Sequence, residues 1–480
     1  MDRKSRILIL FIFVLGLYSC SKEPANPATA TKTNTPSPIN PIETSTPETR
    51  VLTTAEQVPT PTVMSPSIAV SPGDLKGTYV QFWHPWTDNT ANRIEALGER
   101  FNSENPYGIT VEIFNHGNNL YRNVLDGLNN GKIPNITAAP VFQIHSWDNY
   151  ISIIQDLDHY IYNPIWGLKT SEINDFYPIF FDRNKDPIKR TSLPGFAISN
   201  LIIYNHTWAK ELGFDSPPST PSEFKEQACA AAAESYRMDE DTGIGGWISN
   251  LDPLSIIGWV AAFDGNFTDT IRDGYEFETP EFEKSFDFIK SIYTSGCAVT
   301  TLDQYFENQF SEREGLFYST NITSFPYIAS SFDSGELGDE WTAIPYPSEE
   351  GEPIIPLSTY SFSILRSTAE VELASWMFIK WLIEPENQAE IVKVSGFIPT
   401  RISSNKYLTK YVMDNHQWAA IQEKMAVGIF EPEIGSWNIV RWVLSDAART
   451  LVSPDFSDDE IPLLVKELNT VAGEVHLNSP

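Results

Sequence analysis

Aromatic side chains beside polar ones, near predicted loop ends, are the residues of this sequence that could do chemistry. The chain has 13 Trp, 19 Tyr and 28 Phe among 480 residues. A neutral sugar presents apolar C–H faces and a rim of hydroxyls. A site for it therefore combines flat aromatic surfaces with groups that donate and accept hydrogen bonds. The composition suits non-covalent binding of a small hydroxylated molecule.

Motifs for catalysis are missing from the sequence. It contains no Gly-x-Ser-x-Gly, His-Glu-x-x-His, Walker or Gly-x-Gly-x-x-Gly pattern, and its seven His residues are scattered, with no pair at metal-ligand spacing. Asp and Glu are abundant, so a carboxylate pair that cleaves glycosidic bonds stays open as an alternative to solvated surface acids. We expect no catalytic residues, no metal and no cofactor.

The net charge of −30 is spread along the chain. A strongly acidic protein repels phosphate backbones, which argues against nucleic acid as a partner. The same charge disfavours anionic ligands.

The N-terminal residues have the pattern of a secretory signal. Arg3, Lys4 and Arg6 precede the apolar run Ile7–Leu17, which is too short to span a bilayer comfortably. Ser19-Cys20 follows and resembles a bacterial lipobox, in which Cys20 is lipidated; a coincidental Cys after an ordinary signal peptide is the alternative. We predict a signal peptide at 1–19 and an extracytoplasmic protein anchored in the cell membrane through lipid.

Residues 20–74 are rich in Pro, Thr and Ser and poor in apolar clusters. Such a segment buries too little surface to offset the entropy lost on ordering, so we predict a disordered linker. About 400 residues remain for the folded body, enough for two lobes.

Strands and helices alternate at the start of the body. The pattern predicts strands at Gly77–Phe82, Ile109–Phe114 and Ile136–Phe142, with helices at Thr90–Asn102 and Tyr121–Asn129 between them. Short turns between alternating strands and helices indicate parallel pairing in an α/β lobe.

Three later passages follow one another in a recognisable order. Gly131–Asn135 reads Gly-Lys-Ile-Pro-Asn, Leu193–Phe224 has an apolar run to Tyr-Asn, a Gly stop and Pro-Pro-Ser-Thr-Pro, and Gly396–Arg401 reads Gly-Phe-Ile-Pro-Thr-Arg. This order resembles the bacterial extracellular solute-binding proteins of the maltose-binding type, which feed ABC importers.

The resemblance implies an α/β periplasmic-binding-protein fold of type II. Each lobe would be a mixed, mostly parallel sheet flanked by helices, with the ligand cleft at a hinge of two or three crossovers. The implied boundaries are first lobe 75–196, second lobe 197–357, return to the first lobe 358–400, and second-lobe C-terminal helices 401–480.

The resemblance also implies where ligand contacts lie. For each Trp, packing in the core is the alternative, and for Asp252 it is capping of a helix before Pro253. We expect Trp259, Trp376 and Trp381 in the core. The implied ligand-binding residues are His84, Trp86, Gln143, His145, Trp247, Asp252, Thr320, Asn321, Tyr360, Glu431 and Trp437.

If Cys20 is lipidated, Cys229 and Cys297 remain as a pair in an oxidising compartment. We expect a disulfide between them, with two unrelated buried thiols as the alternative.

Together these features predict a monomeric solute-binding lipoprotein that delivers a sugar or oligosaccharide to an ABC permease. A polyol, glycerol phosphate or polyamine is an alternative ligand. A cell-surface glycan-active enzyme and a surface adhesin or sensor are the rival functions.

Overall fold

The computed structural model describes residues 68–182, 189–238, 245–269, 274–301 and 306–479. The predicted signal peptide, Cys20 and the linker up to residue 67 lie outside these ranges. Within the last part of the predicted linker, Val70 is buried in the core, so the folded body includes residues ahead of 75. In the described ranges we find no helix with the length and apolarity needed to cross a membrane.

The strands in chain order are β1 (Tyr79–His84), β2 (Thr110–Asn115), β3 (Ile136–Pro140), β4 (Leu193–Asn205), β5 (Gly245–Ser249), β6 (Thr268–Asp269), β7 (Gly274–Tyr275), β8 (Ala298–Thr300), β9 (Gly315–Asn321), β10 (Trp341–Ile344), β11 (Pro356–Ile364), β12 (Ile398–Pro399) and β13 (Ile429–Phe430).

The α-helices in chain order are α1 (Asp88–Glu104), α2 (Leu120–Asn130), α3 (Val141–Ile151), α4 (Asp158–Ile161), α5 (Thr170–Ile173), α6 (Pro178–Phe181), α7 (His206–Glu211), α8 (Pro221–Met238), α9 (Pro253–Ala262), α10 (Pro280–Thr294), α11 (Glu307–Ser311), α12 (Phe325–Ser334), α13 (Ala369–Leu382), α14 (Pro385–Ser395), α15 (Thr409–Asp414), α16 (His416–Gln422), α17 (Trp437–Leu451) and α18 (Ile461–Asn478). Short 3-10 turns lie at Gly117–Asn119, Ile322–Ser324, Ile402–Tyr407, Met425–Val427 and Asp458–Glu460.

The strands form a curled mixed sheet in the order β2-β1-β3-β11-β4-β9-β5-β8. Pairing is parallel between β1 and β2, β1 and β3, β5 and β8, and β5 and β9, while β4 and β11 run antiparallel to most of their neighbours. Helices α1 and α13 cover the β1 end and α8 covers the β5 end. This confirms the predicted two-lobed α/β fold.

Strand β4 belongs to both lobes. Its residues up to Ser199 pair with β11 and β12 of the first lobe, and from Asn200 onward they pair with β9 and β10 of the second. The Leu193–Phe224 passage therefore contains a crossover between the lobes. The chain passes between the lobes again from β10 to β11 and from β13 to α17. The turn Ile402–Tyr407 packs on α14 of the first lobe, beyond the boundary expected at 400.

The opening elements lie close to their predicted ranges, because apolar residues at helical spacing form their buried faces. In α1 these are Ile94, Leu97 and Phe101. The third strand is shorter than predicted, since it ends at Pro140, which precedes the first residue of α3. Gln143 and His145 thus lie on a helix instead of in a loop.

Cys229 of α8 and Cys297, which precedes β8, form a disulfide. The expected pairing is confirmed. Trp259 and Trp376 are fully buried and Trp381 is half-buried on α13, as expected for core residues.

Candidate ligand-binding site

A cavity of about 660 Å³ lies between the lobes, at the end of β1 and beside β4. Its first-lobe wall includes residues 85–90, Asn118, Tyr360, residues 394–395 and Phe397, and its second-lobe wall includes Asn321 and Tyr327. Another cavity, of about 770 Å³ beside Trp341, is larger but lies away from the ends of the first-lobe strands. Of these two cavities, the first has residues of both lobes around strand ends, where α/β folds bind ligands.

Three aromatic rings form one side of this interlobe cavity. The Trp86 ring centroid lies 5.7 Å from that of Tyr360 and 6.0 Å from that of Phe397, and the Tyr360 and Phe397 centroids are 5.8 Å apart. The three residues come from the loop after β1, from β11 and from the loop after α14. Behind them Phe196 of β4 packs edge-on against Trp86. We call Trp86, Tyr360 and Phe397 the aromatic floor.

Two buried ring nitrogens at the aromatic floor have no hydrogen-bond partner among the described residues. These are Nε1 of Trp86 and Nδ1 of His84. His84 is 1% exposed, and desolvation, followed by the nearby His116, lowers its pKa to about 4. The imidazole is therefore neutral at neutral pH. An unpaired buried donor is costly, so the Nε1–H of Trp86, a residue that lines the cavity, suits an acceptor atom of a ligand, whereas His84 does not line the cavity.

The remaining groups around the floor are polar and mostly uncharged. Asn89, Thr90, Asn118 and Asn321 line the cavity, and Asp88 is the single carboxylate among its lining residues, which include no Lys or Arg. In the described ranges, no three His, Cys, Asp or Glu side chains are grouped to hold a metal ion. The cavity can hydrogen-bond hydroxyls but offers no cation to an anionic group.

Asp88 has a backbone conformation that L-residues rarely adopt, with φ of +52° at the start of α1. Such strain costs on the order of 1 kcal/mol and is common at ligand sites. The Thr87 hydroxyl donates a 2.8 Å hydrogen bond to the Asp88 carboxylate. The strained turn directs this segment along the cavity.

Of the residues predicted from sequence, Trp86, Asn321 and Tyr360 line the interlobe cavity and His84 stacks directly behind Trp86. Thr320 is buried beside it, and its hydroxyl donates to Ser324 Oγ at 3.1 Å. The structure brings these residues together from β1, β9 and β11.

Four other predicted residues form a second group. Gln143 Nε2 donates to Asn438 Oδ1 at 3.1 Å, and His145 Nδ1 donates to the Glu433 carbonyl at 2.6 Å. These bonds join α3 of the first lobe to the start of α17 in the second. His145 lines a separate polar cavity of about 420 Å³.

Glu431 and Trp437 complete the second group. Trp437 is fully buried, and its Nε1 donates to Glu431 Oε2 at 2.9 Å. Arg441, one turn further along α17, lies 3.6 Å from the same oxygen, whereas Oε1 of Glu431 has no partner among the described residues. Arg441 was not predicted from the sequence, although its i+4 spacing from Trp437 was available.

Trp247 and Asp252 have roles inside the second lobe. Trp247 is fully buried against Phe224 and Trp259, and its Nε1 donates to Ser319 Oγ at 2.9 Å. Asp252 caps α9 by accepting a 2.9 Å hydrogen bond from the Leu254 N–H. Neither residue lines the interlobe cavity. The core and capping alternatives account for both positions.

Sequence and structure comparisons agree on one family. The profile described as "Bacterial extracellular solute-binding protein" matches residues 96–419. The sn-glycerol-3-phosphate-binding periplasmic protein UgpB of Escherichia coli K12 is 22% identical over 350 residues, covering 67% of this chain and 74% of the relative.

Solved structures show the same fold. The sugar-binding protein MalE of Xanthomonas citri is 18% identical with a TM-score of 0.70, covering 83% of this chain and 98% of that chain. The cyclic alpha-maltosyl-1,6-maltose binding protein of Arthrobacter globiformis is 18% identical with a TM-score of 0.69, covering 84% and 99%. Because the family profile spans most of the folded body, the chain belongs to the bacterial extracellular solute-binding protein family, whose members bind solutes outside the cytoplasm.

Proposed function

We propose that this solute-binding protein captures a neutral sugar or oligosaccharide in the interlobe cavity and delivers it to an ABC permease in the membrane. The observation that carries the proposal is the aromatic floor beside uncharged amides and hydroxyls. Flat rings stack on the C–H faces of a sugar, and amides pair with its hydroxyls.

The lining residues weigh against an anionic ligand. The UgpB relative is named for sn-glycerol-3-phosphate. Recognition of a phosphate generally employs Arg, Lys or a helix N-terminus. The first turn of α1 lines the interlobe cavity, but it carries the carboxylate of Asp88, and no basic side chain is among the lining residues. A phosphate here would be repelled by a carboxylate, so a neutral ligand fits better.

Capture would work by a shift between open and closed arrangements of the lobes. A ligand that touches both walls binds the closed state better and therefore populates it. The permease would then recognise the closed form. Strand β4 and the passages from β10 to β11 and from β13 to α17 form the hinge of this movement. Of the expected lobe boundaries, 75–196, 197–357, 358–400 and 401–480, the last one moves to about residue 430, because residues 402–407 and β13 pack with the first lobe.

Anchoring would keep the protein near its permease. We propose that residues 1–19 are removed as a signal peptide, that Cys20 is lipidated and that the residues between Cys20 and Val70 link the anchor to a monomeric body. Replacing Cys20 with Ala should move the protein from the membrane fraction to the soluble fraction. Retention of Cys20→Ala in the membrane fraction would contradict this anchor.

A ligand screen tests the proposed function. The purified full chain is heated with maltose, cellobiose, glucose, sn-glycerol-3-phosphate and spermidine in turn. At 100 times its Kd, a ligand stabilises the folded state by about 2.7 kcal/mol, which raises the Tm measurably. We expect a shift with a saccharide and no saccharide cleavage by chromatography. A shift only with the phosphate or the amine would overturn the sugar assignment, and cleavage would favour the enzyme.

A further inference from the structure

Tyr327 is an exposed aromatic residue on the second-lobe wall of the interlobe cavity. Its relative exposure is 57%, whereas Phe325, Ile328 and Phe332 of the same helix, α12, are buried. The helix thus places its apolar side in the core and leaves one aromatic ring toward the cavity. Among the residues lining the cavity, this is the single aromatic from the second lobe.

The segment that carries Tyr327 is held close to the first lobe. A Cβ placed on Gly396, next to Phe397 of the aromatic floor, would lie 3.3 Å from the Ile322 carbonyl oxygen and 3.4 Å from Thr323 Cα. The two walls therefore meet at Gly396. Tyr327 lies four residues after Thr323. The packing of the Ile322–Thr323 backbone against Gly396 therefore fixes the position of Tyr327 relative to the aromatic floor.

Capping hydrogen bonds also hold the backbone of this segment in place. The Asn321 side chain accepts a 3.1 Å hydrogen bond from the Thr323 N–H, and Pro326 occupies the second position of α12. A side chain with few rotatable bonds on an ordered backbone loses little entropy when it stacks on a ligand.

We infer that Tyr327 is a second stacking platform, which encloses a pyranose ring between itself and the aromatic floor. The inference rests on the proposed sugar-binding function and narrows it. A ligand held between two aromatic surfaces needs C–H groups on both faces of a ring, as in gluco-configured pyranosides with equatorial hydroxyls. Open-chain polyols lack such a ring and are selected against.

Variants of Tyr327 test this platform with maltose, cellobiose and sorbitol as probes in calorimetric titrations of the full chain. Loss of a stacking ring weakens binding roughly ten-fold. We expect Tyr327→Ala to raise the Kd of the bound disaccharide by about that factor and Tyr327→Phe to stay within roughly two-fold, since the ring remains. Sorbitol should bind weakly to every variant.

Tyr236 provides a matched control. It lies on α8, is 58% exposed and does not line the interlobe cavity. Tyr236→Ala should bind the disaccharide as the wild type does.

If wild type binds a disaccharide and Tyr327→Ala binds it equally well, the platform is wrong and the proposed function stands. Equal losses in Tyr327→Ala and Tyr327→Phe would assign the effect to the hydroxyl and also overturn the platform. If wild type binds no saccharide of the ligand screen, both proposals fail.

Discussion

The imidazole of His84 stacks on the indole of Trp86, with ring centroids 5.4 Å apart and planes inclined by 26°. His84 ends β1, and Trp86 lies in the loop that follows, so the strand end directly supports the aromatic floor. A change at His84 should therefore affect both the stability of the fold and the geometry of the cavity.

The stability should depend on pH through His84. Its folded pKa is about 4, below the ordinary 6.5, because burial and His116 disfavour the charged ring. The unfolded chain thus binds more protons between these values. The contribution is complete above pH 6.5 and is lost as the pH falls towards 4, by on the order of 3 kcal/mol.

His84→Gln should flatten this dependence. Urea unfolding at pH 7 and pH 4.5 measures how much unfolding free energy the wild type and the variant each lose on acidification. The carboxylates contribute equally to the loss in both proteins, so the difference between the two losses reports on His84. We expect the loss to be about 2 kcal/mol smaller in the variant, because most of the pKa window is crossed. An identical loss in both proteins would show that His84 does not titrate in this way.

Gly396→Ala should weaken ligand binding. Gly396 has a φ of +73°, and an added methyl group would meet the second-lobe backbone near Ile322 and Thr323. The left-handed backbone alone costs about 1 kcal/mol for an L-residue. The methyl group should also separate the cavity walls, so the Kd measured by titration should rise.

Gly131→Ala is the matched control for Gly396→Ala. Gly131 also ends a helix, with a φ of +70°, but a Cβ there would meet nothing within 4 Å. It should lose a similar unfolding free energy, about 1 kcal/mol, and keep its affinity. Equal affinities in both variants would contradict a role for Gly396 in closing the cavity.

Reduction of the disulfide should destabilise the protein. Cys229 and Cys297 are 68 residues apart, and a cross-link of that length stabilises by roughly 4 kcal/mol in the chain-entropy treatment. Urea unfolding with and without reductant measures the effect. The double variant Cys229→Ser/Cys297→Ser should have the unfolding free energy of the reduced wild type, with or without reductant. If the reductant also destabilises the double variant, the loss in the wild type has a cause other than this disulfide.

Glu431 and Arg441 should be energetically coupled. Both side chains are largely buried, so Glu431→Gln leaves the guanidinium without its carboxylate and should cost about 3 kcal/mol of unfolding free energy. Arg441→Gln should be costly for the same reason. The double variant should lose less than the two single losses combined, as measured by urea unfolding. Strict additivity would show that the pair does not interact.

Periodic patterns and turn residues were sufficient to predict the opening elements of an α/β lobe, whereas the two-lobed fold was implied by the family resemblance. The buried spacing of Ile94, Leu97 and Phe101 predicted α1, and Gly131 predicted the end of α2, because both signals are local. The end of β3 was missed, since the apolar run continues through Pro140 into α3.

The residues that line the candidate site were predicted only in part. Trp86 and Tyr360, which the family resemblance implied, follow or occupy strands whose ends meet at the cavity. Trp247 also occupies a strand, yet it points into the second-lobe core, and sequence alone does not distinguish the two faces of a fully buried strand. Phe397 and Tyr327 reach the cavity through the approach of two lobes, a contact that no local pattern encodes.

The position of β11 between β3 and β4 limits how far the protein can fold while it is being synthesised. During synthesis the first lobe lacks its central strand until long after its neighbours have left the ribosome, and neither lobe is a contiguous stretch of chain. Contacts between such distant segments form slowly and leave sheet edges open meanwhile. The early segments should therefore depend on chaperones, and a chain that is still unfolded is the form that a secretion channel can thread.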